Sequence, residues 1–497
     1  MKLRPIQEKA KQDILNSFKQ GGTYHLCEAV VSFGKTILSS SLMETALQDH
    51  GAKCLFLAHL QELVSQTYEK FIRVAPHLAD RVGIFNAGLA QKVVGDITIG
   101  SRQSVARGLK FFDKVHLIII DEVHLMSDDG EFDKIISHFL ALNPRLRVLG
   151  ITGTPYRLKT GLIYGAGKRF PYLAHRTGME EMIKAGYLSP FRYKVRIDPK
   201  MKEDLNNINM IAGEYNQGEL SEAMQKAVHM NSVNIAIAEH AHDRKSVIVF
   251  ATSIDHAEKL AYILHGKCVH SKMKKDDVRD RIDAFKDGSL RILVNVGILS
   301  IGFDAPNVDC AVLARPTKSP AMYVQMIGRA LRICEGKKDA LILDLVGNFH
   351  EHGSPMNPIV SEAKKKGEHD PDVCPKCFEV LPQGVKICPA CGFDMTELIE
   401  AKERKKEKLE QARILLEEIN VKKFKIIKKW INHPHVTSQG NTGYLFCVRV
   451  KGRTKPLFKY AGENSSWLEG VMDNYKKIEV GQEYEIEENK FGGWIKV

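Results

Sequence analysis

No apolar run in this 497-residue chain approaches the ~20 residues that a bilayer span needs, and the opening MKLRPIQEKAKQDIL has no signal-peptide apolar core. A membrane partner is not expected, and a cytoplasmic protein is. A disulfide framework is not expected either. Of ten cysteines, six are scattered among apolar stretches as buried thiols would be, and only Cys374, Cys377, Cys388 and Cys391 form tight pairs. No carboxylate cluster of nuclease character stands out. What is present is an ordinary globular composition, 44% hydrophobic and 27% charged, which excludes the disordered class. The length excludes one compact domain, because domains of about 100–200 residues imply roughly three or four. The net charge of +12 favours a polyanionic partner.

Up to about residue 350, short β-branched runs alternate with amphipathic helical stretches, the pattern of parallel α/β units. Candidate strands are Lys53–Ala58, Asp96–Ile99, Leu117–Ile120 and Val148–Ile151, then a second series at Val247–Phe250, Ile292–Val296 and Cys310–Leu313. Two similar lobes are expected, over residues 1–190 and 241–352. Residues 191–240, with strand-like Phe191–Ile197 and the polar stretch Asp198–Asn207, are read as the connection between them. A zinc ribbon at 370–396, a helical linker at 397–420 and an accessory domain at 421–497 follow.

Thr23–Val30 reads as a strand running into Ser32-Phe33-Gly34-Lys35-Thr36 and an apolar helix, the order of a phosphate-binding loop. Amides at a helix N-terminus attract phosphate, Lys35 reaches the outer phosphates, and the Thr36 hydroxyl suits Mg²⁺. Ala29 replaces the first glycine of the general pattern. Ser32, if forced to positive φ, costs on the order of 1 kcal/mol, and Phe33 is expected to crowd the cradle. Leu117–Ile120 then delivers Asp121-Glu122-Val123-His124 at the end of a buried strand, where doubly wound folds bind ligands. Asp121 suits the Mg²⁺ shell, and Glu122 is placed to orient and deprotonate an attacking water.

With these residues the chain resembles superfamily 2 helicases and translocases. Leu3-Arg4-Pro5-Ile6-Gln7 is similar to their adenine-reading motif, Asp121–His124 to the DExH box, and Thr152-Gly153-Thr154-Pro155 to motif III. Val294-Asn295-Val296 with Gly302-Phe303-Asp304-Ala305-Pro306 resembles motif V, and Gln325-Met326-Ile327-Gly328-Arg329-Ala330-Leu331-Arg332 resembles motif VI. The wording around Ala58-His59 and Gly100–Arg107, and the cysteine pairs after motif VI, is closest to bacterial RadD-type repair ATPases. The resemblance implies two RecA-like lobes closing on ATP and Mg²⁺. It assigns Arg4 and Gln7 to the base, and Gly302, Asp304 and Gln325 to the nucleotide site. Arg329 and Arg332, taken as one face of a helix, go to the γ-phosphate, with Arg332 as the finger. His124 and Gln325 would couple the lobes, while Thr152 and Thr154 relay the nucleotide state. Strand contacts are expected from His59, Gln61, Ser101, Arg102, Gln103, Ser104, Thr252 and Asn295, groups suited to phosphate and sugar.

Cys374-Pro375-Lys376-Cys377, ten residues, and Cys388-Pro389-Ala390-Cys391-Gly392 place four thiolates on two knuckles, as structural Zn²⁺ requires. Between Val421 and Tyr460 lie ten Lys or Arg and no Asp or Glu. The aromatics Phe424, Trp430, Tyr444, Phe446, Phe458 and Tyr460 interleave with them. They suit either base stacking on a small β-barrel or the packing of its core. The expected function is an ATP-dependent helicase or translocase on DNA, single-stranded or forked, in repair or recombination. A monomer is expected, and a repair protein is a further partner that reading allows. The alternatives are an RNA helicase, the motor of a restriction system, or a non-hydrolysing nucleic-acid scaffold.

Overall fold

The computed structural model describes residues 3–58, 61–126, 130–157, 161–297, 305–359, 372–382, 384–401, 403–404, 407, 423–436, 442–450, 457–462, 468–480, 482–489 and 492–496. The β-branched runs form strands β1 (Tyr24–Ala29), β2 (Cys54–Ala58), β3 (Val82–Asn86), β4 (Gln91–Lys92), β5 (Ile97–Ser101), β6 (Leu117–Asp121), β7 (Arg147–Thr152), the short hairpin β8 (Tyr156–Arg157) and β9 (Gly161–Leu162), and β10 (Tyr172–Thr177). Eight of them make one sheet in the order β10-β1-β7-β6-β2-β5-β3-β4, parallel except at β4. Leu117 to Ile120 are all buried, as a parallel strand covered on both faces demands. Burial of each stabilises by roughly 1.5–3 kcal/mol.

The second lobe begins earlier than expected. β11 (Phe191–Val195) is not a connection: it pairs with β18 and forms the edge of the second sheet. The short hairpin β12 (Met210–Ile211) and β13 (Glu214–Tyr215) follows. The sheet is completed by β14 (Val247–Phe250), β15 (Lys267–His270), β16 (Ile292–Val296), β17 (Cys310–Leu313) and β18 (Ala340–Asp344), all parallel, in the order β11-β18-β17-β14-β16-β15. The polar stretch Asp198–Asn207 is mostly helix, Pro199–Asn206, because the Asp198 side chain caps it and Pro199 opens it. Its Met201 and Leu205 pack with Leu220 and Met224 of the next helix, Gln217–Met224.

One apolar cluster runs through both lobes, from Ile6 and Phe33 to Tyr323 and Ile327. The helix Pro320–Gly328 lies where they meet. Seven of its nine residues are buried, and a side chain at Gly328 would come within 2.4 Å of Val31 beside the phosphate loop. A helix apolar all round is one enclosed on every side.

The cysteine knuckles carry β19 (Asp372–Val373) and β20 (Val380–Leu381) and belong to the same unit, which extends to Phe393. They dock on the free edge of β11: the Val195 amide donates to the Phe378 carbonyl (2.9 Å), and Arg192 grips Glu379 through Nε (3.1 Å) and Nη2 (2.9 Å). Of the expected linker helix, residues 397–401 are helical and 408–420 lie outside the described residues.

Residues 394–497 form a second unit. Its strands are β21 (Lys423–Val436), β22 (Thr442–Val450), β23 (Leu457–Gly462), β24 (Glu483–Asn489) and β25 (Gly492–Lys496), antiparallel in the order β23-β22-β21-β24-β25. The helix Leu468–Lys477 separates β23 from β24, and β23 also lies against β25. No helix among the described residues is long and apolar enough to cross a membrane.

Candidate nucleotide site and metal centre

The turn after β1 holds Ser32 at φ 62° and Gly34 at φ 88°. Phe33 does not crowd it. Its ring is fully buried in the apolar cluster, 6.2 Å from the His175 ring. Burying a phenylalanine gains roughly 1.5–3 kcal/mol, enough to offset the ~1–2 kcal/mol of a left-handed serine. The loop tolerates its unusual sequence because Phe33 is an anchor. Gly34 is required by space as well as conformation, since a Cβ there would stand 2.4 Å from Gln7 Nε2. Gln7 ties the first helix to the loop: its Nε2 donates to the Phe33 carbonyl (2.8 Å) and its Oε1 accepts the Arg4 amide (2.9 Å). The Arg4 guanidinium lies over the Tyr187 ring at 4.7 Å. Tyr187 carried no signal in the sequence.

Lys35 opens the helix Lys35–His50, and its Nζ meets Glu122 Oε1 at 2.7 Å. Glu122 sits at φ 47°, a strained backbone of the kind found at reactive sites. Burial presses the Asp121 carboxyl upward, and the adjacent Glu122 charge adds to this, to about 6. Burial also opposes the ionised forms of Glu122 and Lys35, but their mutual attraction outweighs it, so Glu122 stays below its usual range and Lys35 above. Thr152, ending β7, sets its Oγ1 2.8 Å from His124 Nδ1 and 3.4 Å from Glu122 Oε2. The Thr154 amide donates to Thr152 Oγ1 at 3.0 Å. The DExH box and the motif III threonines are therefore one hydrogen-bonded group.

The second lobe contributes Arg329, buried, whose charge acts on both Lys35 and Glu122. The shared helix face expected for Arg329 and Arg332 is not present. The helix ends at Gly328, Arg329 is its C-cap, and half-buried Arg332 lies beyond the next turn. Lys337, unremarked in the sequence, holds that turn by donating to the carbonyls of Val308 (2.6 Å), Ala330 and Arg332 (2.7 Å), and burial brings its ammonium down to about 8. Gln325 is half-buried on the same helix. Gly302 and Asp304 lie outside the described residues.

A half-buried acidic pair with one lysine beside an anion-binding loop fits a Mg²⁺–triphosphate: Thr36 and Asp121 would hold the metal, and Lys35 would meet the phosphates. The four cysteines fit zinc. All their sulfurs lie within 4.8 Å of one another, with Cys374–Cys391 at 3.6 Å and Cys377–Cys388 at 3.7 Å. Tetrahedral Zn–S bonds of ~2.3 Å require sulfur separations near ~3.8 Å. Gly392, at φ 70°, lets its amide reach back to the Cys388 carbonyl at 2.8 Å.

Several of the residues expected to contact a strand have partners within the fold. Ser101 caps the helix Arg102–Arg107 by accepting the Ser104 amide, and Ser104 Oγ accepts the Ala87 amide. Arg102 pairs with Glu131 (2.7 Å) and lies over Phe132 (5.4 Å). Thr252 is buried and bonded to His256 Nδ1, and Asn295 is buried in β16. Serines and threonines at strand ends are needed as caps before they are available to a ligand. Gln103 is exposed. His59, and the side chain of Gln61, lie outside the described residues.

Residues 1–157 match the family described as "Type III restriction enzyme, res subunit", and residues 206–334 match "Helicase conserved C-terminal domain". A "51.5 kDa protein" of a Lactococcus phage is 27% identical, over 92% of this chain and 96% of its own length. The "Putative ATP-dependent helicase IRC3" of Saccharomyces cerevisiae is 28% identical, over 69% of this chain but only 51% of its own length. Among solved structures, a fragment titled as a putative HsdR subunit of a type I restriction enzyme from Vibrio vulnificus shares the fold at TM-score 0.52 and 21% identity, covering 71% of this chain and 66% of that one. Tandem RecA-like lobes, the two family matches in the helicase order, and the phosphate loop, the DExH box and motifs III and VI gathered at one cleft make the chain a member of helicase superfamily 2.

Proposed function

We propose that the chain is an ATP-driven motor that moves along DNA or unwinds it, in repair or recombination. What carries the reading is that the helix bearing motif VI packs Gly328 against Val31 beside the phosphate loop, which brings buried Arg329 of the second lobe to the cleft that holds the Lys35–Glu122 pair. Phosphoryl transfer is largely positioning and charge stabilisation, so an arginine supplied across a cleft makes hydrolysis depend on lobe closure. Glu122 Oε1 is bound to Lys35, so Lys35 has to turn to the phosphates before that carboxylate is released to take a proton from water. Arg329 is the preferred finger. Thr36 and Asp121 would hold Mg²⁺, which would supply neutralising charge at the phosphates. Alternate closing and opening then tightens and loosens each lobe's hold on a strand. The kinship with RadD-type ATPases and the repair role belong to this proposal and rest on motif wording and on the cysteine pairs after motif VI.

A second reading, the motor of a restriction system, draws support from the description of the family matched by residues 1–157. Phosphate release measured with single-stranded DNA, duplex DNA and RNA tests both. DNA stimulation abolished by Lys35→Ala supports the motor, and stimulation by RNA alone would replace DNA. DNA degradation by the protein would move the assignment to restriction, and no turnover under any condition refutes hydrolysis.

A further inference from the structure

The C-terminal unit separates its aromatics into two sets. Phe446 and Val448 of β22 point to the side of the helix Leu468–Lys477, where Phe446 packs 5.2 Å from the Tyr475 ring. Lys429 also faces that side, its Nζ donating to the Ile478 carbonyl at 2.6 Å. Alternation along a strand sends the intervening residues to the opposite face. Cross-strand register then aligns that face in rows: Lys428 with Arg449, Trp430 with Cys447, Asn432 with Leu445 and Tyr460. Lys428, Asn432 and Arg449 are exposed, while Trp430, Leu445 and Tyr460 are half-buried. Lys428 Nζ stands 5.8 Å from the Trp430 ring.

Charge divides the same way. Lys423 to Tyr460, covering β21 and β22 and most of β23, holds no acidic residue, whereas β24 alone carries Glu483, Glu485, Glu487 and Glu488. The strand order, with a helix between the third and fourth strands, is that of OB-type barrels, whose second and third strands present the ligand face.

We propose that the outer face of β21–β23 binds single-stranded nucleic acid independently of the motor cleft, with bases stacking on Trp430 and Tyr460 and phosphates meeting Lys428 and Arg449. Stacking needs unpaired bases, which selects a single strand over a duplex. The acidic β24 repels the backbone and confines the track to one side.

All three tryptophans, Trp430, Trp467 and Trp494, lie in this unit, so the tryptophan fluorescence of the full chain, excited selectively over tyrosine, reports on it alone. Titration with oligothymidylate of about 10–15 nucleotides, without ATP, is expected to quench that fluorescence. Trp430→Ala should weaken the binding read this way about tenfold, and Trp430→Phe should restore most of it. Lys428→Glu with Arg449→Glu, both exposed and so compatible with folding, should weaken it and lower the salt dependence by about 1.4 in log–log slope. Both variants should keep their ATPase rate without DNA. Absence of quenching, affinity unchanged in both variants, or equal affinity for duplex would overturn the proposal. Because no nucleotide is present, a chain unable to hydrolyse ATP would still pass, so failure here is separate from failure of the motor.

Discussion

Replacing Ser32 tests the reading of the phosphate loop most directly. Ser32 holds φ 62°, and its hydroxyl is buried with no hydrogen-bond partner. The left-handed backbone costs a serine ~1–2 kcal/mol, and an unmet buried hydroxyl costs ~1–3 kcal/mol. Ser32→Ala removes only the second cost. Ser32→Gly removes both, but loosens the unfolded chain by ~0.4–1 kcal/mol. The nucleotide-free protein is therefore expected to gain about 1–3 kcal/mol from Ser32→Ala and about 1–4.6 kcal/mol from Ser32→Gly. For a lobe of this size that raises Tm by about 2–4 °C per kcal/mol. Such cost is kept where it serves binding, so the gain in free protein should come with a loss in the complex. A hydroxyl held ready for a phosphate oxygen contributes about 1 kcal/mol, or about fivefold in Kd. Thermal melts with and without Mg²⁺ and a slowly hydrolysed ATP analogue read both signs. If both variants melt below the parent without ligand, Ser32 is not strained, and the explanation of this divergent loop fails.

Acid should act on function and stability in opposite directions. Asp121 is raised from near 4 to about 6, so between those values the folded protein binds more protons than the unfolded chain. Its contribution to stability therefore falls as pH rises through that window, while ATPase kcat/KM rises as the carboxylate becomes able to hold Mg²⁺. Asp121→Asn should abolish turnover and raise stability at pH 7 by on the order of 2 kcal/mol; a destabilised Asn variant would contradict the burial argument. Chelation or Cys388→Ser should remove one zinc and expose residues 372–393 to protease while basal ATPase largely survives; a purified protein without zinc would exclude the metal. Arg192→Ala leaves Glu379, 8% exposed, without its cation, and should cost about 1–3 kcal/mol in urea unfolding.

Composition and local pattern alone determined the two series of parallel strands, the phosphate loop, the acidic pair at the end of β6 and the four-cysteine site. Each of these is a short-range signal: runs of buried β-branched residues, a glycine-lysine-threonine at a helix start, thiols at fixed spacing. Tertiary structure decided the rest, because packing and partner choice are made by residues distant in sequence. Phe33 became an anchor only because a core lay within reach, and the helix carrying motif VI stopped at Gly328, so that Arg329 caps it and Arg332 lies beyond the next turn instead of sharing its face. Lys337 found three carbonyls that no pattern announces. Strand register divided the C-terminal aromatics, sending Phe446 inward and Trp430 outward, a distinction invisible to composition because alternation fixes two faces without saying which one a helix will cover.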